Sequence, residues 1–123
     1  MKPVTQTIFG SEKGNCLAAA ISSITGIEIC DIPDFNDDGE RWLLVMEKWL
    51  EKRNWTVKLR SIAIPSPKGF CIGVGVSPRD PNVDHCAIYK NGELIFDVHP
   101  SQDGVKAVSY WIVLRRSKRK GLR

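Results

Sequence analysis

Gly14-Asn15-Cys16-Leu17-Ala18-Ala19-Ala20-Ile21-Ser22-Ser23-Ile24-Thr25-Gly26 reads as a short helix that begins on a cysteine. Gly14 and Asn15 suit the irregular backbone ahead of a helix, and Asn is a favoured N-cap. Leu17, Ala20, Ile21 and Ile24 recur at helical spacing, and Gly26 suits the left-handed position past the C-terminus. Cys16 then falls in the first turn. The unpaired N–H groups and positive dipole end there favour a thiolate. The competing reading is a buried, inert cysteine, a common fate of the residue.

A second stretch decides whether that sulfur has partners. His85-Cys86-Ala87-Ile88-Tyr89 and Glu93-Leu94-Ile95-Phe96-Asp97-Val98 are strand-like runs around a tight turn. A two-residue Asn91-Gly92 loop mixes polar and apolar residues on both faces and turns His85 away from Asp97. A three-residue loop, Lys90-Asn91-Gly92, gathers Cys86, Ile88, Leu94, Phe96 and Val98 on one apolar face. Hydrophobic segregation favours this second register. It sets His85 directly across from Asp97, at a Cβ separation of roughly 5 Å. A thiol nucleophile needs such a pair: an imidazole to move its proton and a carboxylate to orient the imidazole. An idle surface His–Asp pair is the alternative.

Length and composition bound the rest. The chain has 123 residues, enough for one domain with its own core. Its 42% hydrophobic and 26% charged residues are those of a soluble globular protein. It shows no membrane-spanning run and no signal-peptide core in residues 1–15, which leads to the expectation of a cytoplasmic address. Cys16, Cys30, Cys71 and Cys86 lack both C-x-x-C pairing and zinc-ligand spacing, so free thiols, no metal and no cofactor are expected. Cys30, Cys71 and Cys86 read as structural. Of the 18 Lys and Arg residues, six lie in residues 115–123, leaving 12 bases against 14 acids elsewhere. The basicity therefore belongs to a C-terminal tail, which offers a weak case for nucleic acid and a stronger one for a solvated terminus.

Between these landmarks, residues 1–9 look extended and carry one amide side chain, Gln6. A connector over residues 27–35 leads to a polar turn at residues 36–39. A second helix is expected over residues 40–53, with Trp42, Leu43, Met46, Trp49 and Leu50 on its apolar stripe. Strands are expected at residues 55–60, 70–76 and 107–114 besides the hairpin. Helices followed by antiparallel strands make an α+β class, with one domain over residues 1–114 and a basic tail over residues 115–123. Loops 28–39 and 77–84 are left to select a substrate, with Pro78, Arg79 and Asp80 as candidate contacts. His99, ahead of a proline, is either a loop residue or a further contact.

A cysteine at a helix start, followed in the chain by a hairpin bearing His and then Asp, resembles the papain-like cysteine peptidase superfamily. The chain is similar to small bacterial and phage members, such as the peptidase domains that remove bacteriocin leader peptides. The residues that carry the resemblance are Gln6, Gly14-Asn15-Cys16-Leu17-Ala18-Ala19, His85-Cys86-Ala87-Ile88-Tyr89 and Asp97-Val98-His99-Pro100. It implies N-terminal helices packed on a C-terminal antiparallel sheet with the active site between them. Cys16 is the implied nucleophile, His85 the general base and acid, and Asp97 the orienting group. Gln6, or failing it Asn15, is the implied oxyanion donor. Neither the papain cysteine signature nor the Cys-Gly of the leader peptidases is present, so no particular substrate follows. The expectation is a thiol hydrolase acting on a peptide or protein through an acyl-enzyme. An idle papain-like binding protein, for example a phage-encoded inhibitor or adaptor, and a nucleic-acid-associated protein acting through its tail are the alternatives. Oligomeric state is not legible.

Overall fold

The computed structural model describes residues 1–9 and 14–117. It has two α-helices, α1 (Cys16–Thr25) and α2 (Trp42–Glu51). Five strands follow: β1 (Trp55–Ser61), β2 (Phe70–Val76), β3 (Asp84–Lys90), β4 (Glu93–Asp97) and β5 (Val108–Arg116). They form one antiparallel sheet in the order β1-β5-β2-β3-β4, so the last strand is inserted between the first two. The class is α+β.

α1 is buried along almost its whole length because its residues are small: Leu17 to Ser23 are all buried. Gly26 ends it in the left-handed region, at φ 81°, with its N–H donating to the Ser22 carbonyl. Ile21, Met46, Leu50, Ile72 and Ile88 are 0% exposed and join the helices to one face of the sheet. Each such side chain contributes about 1.5–3 kcal/mol relative to exposure. The opposite face carries a smaller cluster of Cys71, Ala87, Tyr89, Trp111 and Val113. Gly73 is part of it: a Cβ there would stand 2.5 Å from the Tyr89 ring, which packs edge-on against Trp111.

The structure departs from the sequence-based expectations at four places. Residues 1–9 join no strand and instead run beside α1. Lys2 N–H donates to the Ser23 carbonyl, Val4 N–H to Ser23 Oγ, and Gln6 N–H to the Val98 carbonyl. The expected polar turn at residues 36–39 lies inside a 3₁₀ segment, Phe35–Arg41, that buries Phe35. Gly39 breaks it at φ 57°, ψ −129°, so α2 starts at Trp42 and not at Glu40.

The third departure is the hairpin. Its loop is the two-residue Asn91-Gly92 turn, with φ 52° and 86°, and Lys90 pairs with Glu93. Those angles are the ones the sheet's right-handed twist favours. Asn91 is also anchored to the start of β2: its N–H donates to the Gly69 carbonyl and its Oδ1 accepts from Gly69 N–H. The register then shifts between Tyr89↔Leu94 and Ile88↔Phe96, a bulge that absorbs Ile95. The bulge returns Phe96 to the core face with Cys86 and Ile88, while Leu94 and Ile95 stay 42% and 49% exposed. Asp97 consequently pairs with Ala87, and His85 is its diagonal neighbour, not its direct partner.

Fourth, the sheet extends past residue 114. Arg115 and Arg116 belong to β5 and pair with Thr56 and Trp55. Arg115 donates to the carbonyls of Lys68 and Phe70, and Arg116 lies over the Trp55 ring. Two of the six tail bases are thus committed to the sheet; residues 118–123 lie outside the described residues. Among the described residues no helix is long and apolar enough to cross a membrane.

Candidate active site

The helix start, the first residues of β3 and the end of β4 meet at one cleft. Cys16 opens α1, and the Cys86 thiol donates to its sulfur across 3.2 Å. His85 stands close enough to that sulfur to act on its charge. On its other side, His85 Nε2 lies 2.6 Å from Asp97 Oδ1, leaving Nδ1 as the nitrogen for Cys16. Strand alternation gives His85 and Cys86 opposite directions. Cys86 points to the α1 face with Ile88, and His85, one residue from the start of β3, closes on the sulfur from the sheet's end.

Asp97 is 0% exposed and held as a carboxylate by three donors. Oδ1 accepts from His85 and from His99 N–H, and Oδ2 accepts from Gly104 N–H. Burial opposes its charge, and these bonds outweigh burial, so its pKa falls below the ordinary value. Gln102 fixes the backbone behind it, its amide accepting from Asp97 N–H and donating to the Asp97 carbonyl. The loop after β4 thus wraps the carboxylate on all sides.

This wiring sets the charges. The Cys86 hydrogen bond is the largest influence on Cys16; burial opposes it, and the hydrogen bond and charge of His85 reinforce it, bringing the thiol down to about 5. Burial opposes charge on His85, but hydrogen bonds to Asp97 and Cys16, with their charges, raise it to about 9. Between those limits the pair is a thiolate facing an imidazolium. Cys86 moves the other way, its thiol held protonated by the bond to Cys16 and by burial. Cys71, across the sheet, is raised by burial to about 11.

The cleft above Cys16 has a volume of about 830 Å³. Gln6, Arg79, Asp80 and His99 are among its walls; Pro78 and Asn15 are not. Gln6 is buried, donates Nε2–H to the Ile8 carbonyl, and leaves Oε1 without a partner among the described residues. Asn15 is the N-cap residue of α1, yet its side chain makes no cap. Its Oδ1 accepts from the N–H groups of Thr7 and Ile8, and its Nδ2 donates to Thr7 Oγ1. Arg79 reaches across to Ser101 Oγ at 2.9 Å, and Asp80 caps its own turn through Asn82 N–H. His99 accepts Ser101 N–H at Nδ1, so its proton sits on Nε2, and its ring stands edge-on to Phe9 and His85. Burial and the nearby Arg79 lower its pKa, keeping it neutral.

Sequence reasoning missed three members. Cys86 lies on the expected apolar face, where a structural role is the expectation, and the sequence holds no sign that its thiol meets Cys16. Trp42 belongs to the α2 stripe but lines the cleft, and Tyr110 reaches it from β5. A cysteine beside the candidate histidine was the one available signal. Among the described residues no group of three His, Cys, Asp or Glu side chains is placed to hold a metal. No family model, curated protein or solved structure matches the chain.

Proposed function

We propose that the protein is a cysteine-dependent hydrolase of papain-like kind, transferring acyl groups through Cys16. The observation that carries this reading is the 2.6 Å bond from His85 Nε2 to the buried Asp97, with His85 and the Cys16 sulfur lining the same cleft. The Cys16 thiolate attacks the carbonyl carbon of an amide, isopeptide or thioester. The C–S bond forms, the carbonyl becomes an oxyanion, and collapse breaks the bond to the leaving group, which takes a proton from His85. Water then gives its proton to His85 as it attacks, and the C–S bond breaks. Asp97 keeps the ring aimed. Helical geometry leaves the Cys16 N–H unpaired for the oxyanion. Gln6 is favoured over Asn15 as the second donor, because Gln6 lines the cleft and Asn15 does not. The Gln6 amide has a second N–H beyond the one spent on Ile8. A peptide or protein is the proposed substrate class, with Arg79, Asp80 and His99 on the walls that would meet it.

The test is a thiol-directed acyloxymethyl ketone probe. Labelling confined to Cys16 and lost in His85→Ala is expected. Slow, equal labelling of all the cysteines would refute the hydrolase and leave a binding protein. With labelling established, peptide-library profiling against a Cys16→Ala control defines the substrate.

A further inference from the structure

Cys86 has no task in the acyl-transfer reading, yet its thiol donates directly to the Cys16 sulfur. We propose that Cys16 and Cys86 form a reversible intramolecular disulfide, a hydroperoxide-sensitive dithiol site at the floor of the cleft. The two sulfurs are 3.2 Å apart. A disulfide needs about 2.05 Å, a closure of ~1.1 Å that falls to two side chains on packed elements. The other thiols are elsewhere: Cys71 is buried in the cluster on the opposite face of the sheet, and Cys30 is exposed in a short 3₁₀ turn. Access is also asymmetric. Cys16 is partly exposed at the cleft, whereas Cys86 is 4% exposed, so an oxidant meets Cys16 first and Cys86 reacts only through it.

The chemistry balances with a hydroperoxide as oxidant. The Cys16 thiolate attacks the outer peroxide oxygen; an S–O bond forms, the O–O bond breaks, and the departing alkoxide or hydroxide takes a proton from the His85 imidazolium. Cys16 is now a sulfenic acid. The Cys86 sulfur attacks it; an S–S bond forms, the S–O bond breaks, and hydroxide leaves with the Cys86 proton as water. Two thiols have lost two electrons and the peroxide has gained them. An external dithiol reverses the step by thiol–disulfide exchange, becoming a disulfide itself. The closed bridge ties the first residue of α1 to β3 and removes the sulfur from the cleft. It also guards that sulfur against irreversible oxidation to sulfinic and sulfonic acids.

The experiment exposes the intact protein to hydrogen peroxide and maps its peptides without reduction. A linked pair of the Cys16 and Cys86 peptides is expected, with loss of Cys16 alkylation by iodoacetamide that dithiothreitol fully restores. Cys86→Ser should instead accumulate sulfinic and sulfonic acid at Cys16, which dithiothreitol does not restore, and Cys71→Ser should behave as the unaltered chain. Over-oxidised Cys16 in the unaltered chain, or bridges to Cys30 or between molecules in place of the Cys16–Cys86 link, would overturn the proposal. The readout needs no turnover. A hydrolase lacking the bridge refutes only the disulfide, and a bridge in a protein that labels no probe refutes only the hydrolase.

Discussion

Removing both side chains that hold the Cys16 proton off should invert its reactivity across the pH scale. With Cys16 at about 5, most of it is thiolate at pH 5.5. In the double variant His85→Ala/Cys86→Ala, burial and the Cys86 backbone bond remain and the lowering side chains are gone, so the thiol should return to ~8.5. Its thiolate fraction at pH 5.5 is then ~0.1%, against roughly three quarters in the parent, a ratio of ~760. Each parent thiolate is the weaker nucleophile, however. A Brønsted slope near 0.45 over ~3.5 pKa units costs it ~40-fold. The parent should therefore react ~20-fold faster at pH 5.5, about equally at pH 7, and ~35-fold slower above pH 9.5. The assay is the initial rate of reaction with a pyridyl disulfide, in a Cys30→Ser background that removes the exposed competing thiol. Assays at pH 7 alone would miss the effect. Of the single variants, Cys86→Ala should move the midpoint further than His85→Ala, since its hydrogen bond is the larger influence. A double variant whose midpoint stays below ~6 would refute the reasoning and assign the thiolate to the backbone N–H groups around it.

Hydrolysis, read as kcat/KM, should follow a bell with limbs near about 5 and about 9, the apparent values of the coupled pair. Asp97→Asn removes the charge that raises His85, so its alkaline limb should move to lower pH; an unmoved limb would deny Asp97 that role. The same change sets an NH₂ against at least one of three donors and should cost about 1–3 kcal/mol in denaturant unfolding. Gln6→Ala should slow hydrolysis ~10²-fold while leaving the Cys16 titration midpoint in place. Gly75→Ala should destabilise more than Gly73→Ala in thermal melts. Its Cβ would meet the Ala107 backbone carbonyl at 2.1 Å, whereas the Gly73 Cβ meets a Tyr89 ring that can shift.

Much of the site was legible because its parts are announced locally. A small-residue helix opening on Cys16, and apolar runs at residues 70–76 and 85–89, depend on periodicity within a few residues. The hairpin shows where such reading ends. Segregation of apolar side chains correctly placed Phe96 on the face of Cys86 and Ile88 but wrongly added Leu94 to it, through a three-residue loop. The protein achieves nearly the same segregation with an Asn-Gly turn pinned to Gly69 and a bulge at Ile95. That choice depends on a contact 22 residues away. Trp42 and Tyr110 were likewise invisible as cleft walls, since nothing in a stripe of apolar residues says which end will face a gap.

The amino-acid sequence alone determined the α+β class, the helix that presents Cys16, and the strand alternation that sends His85 and Cys86 in opposite directions. Only the tertiary structure decided that β5 enters between β1 and β2, that Asp97 meets His85 on the diagonal, and that Cys86 lies against Cys16. The division has one cause. Periodicity and turn chemistry act over a few residues, whereas a hydrogen bond between sulfurs 70 residues apart exists only after the whole core has packed.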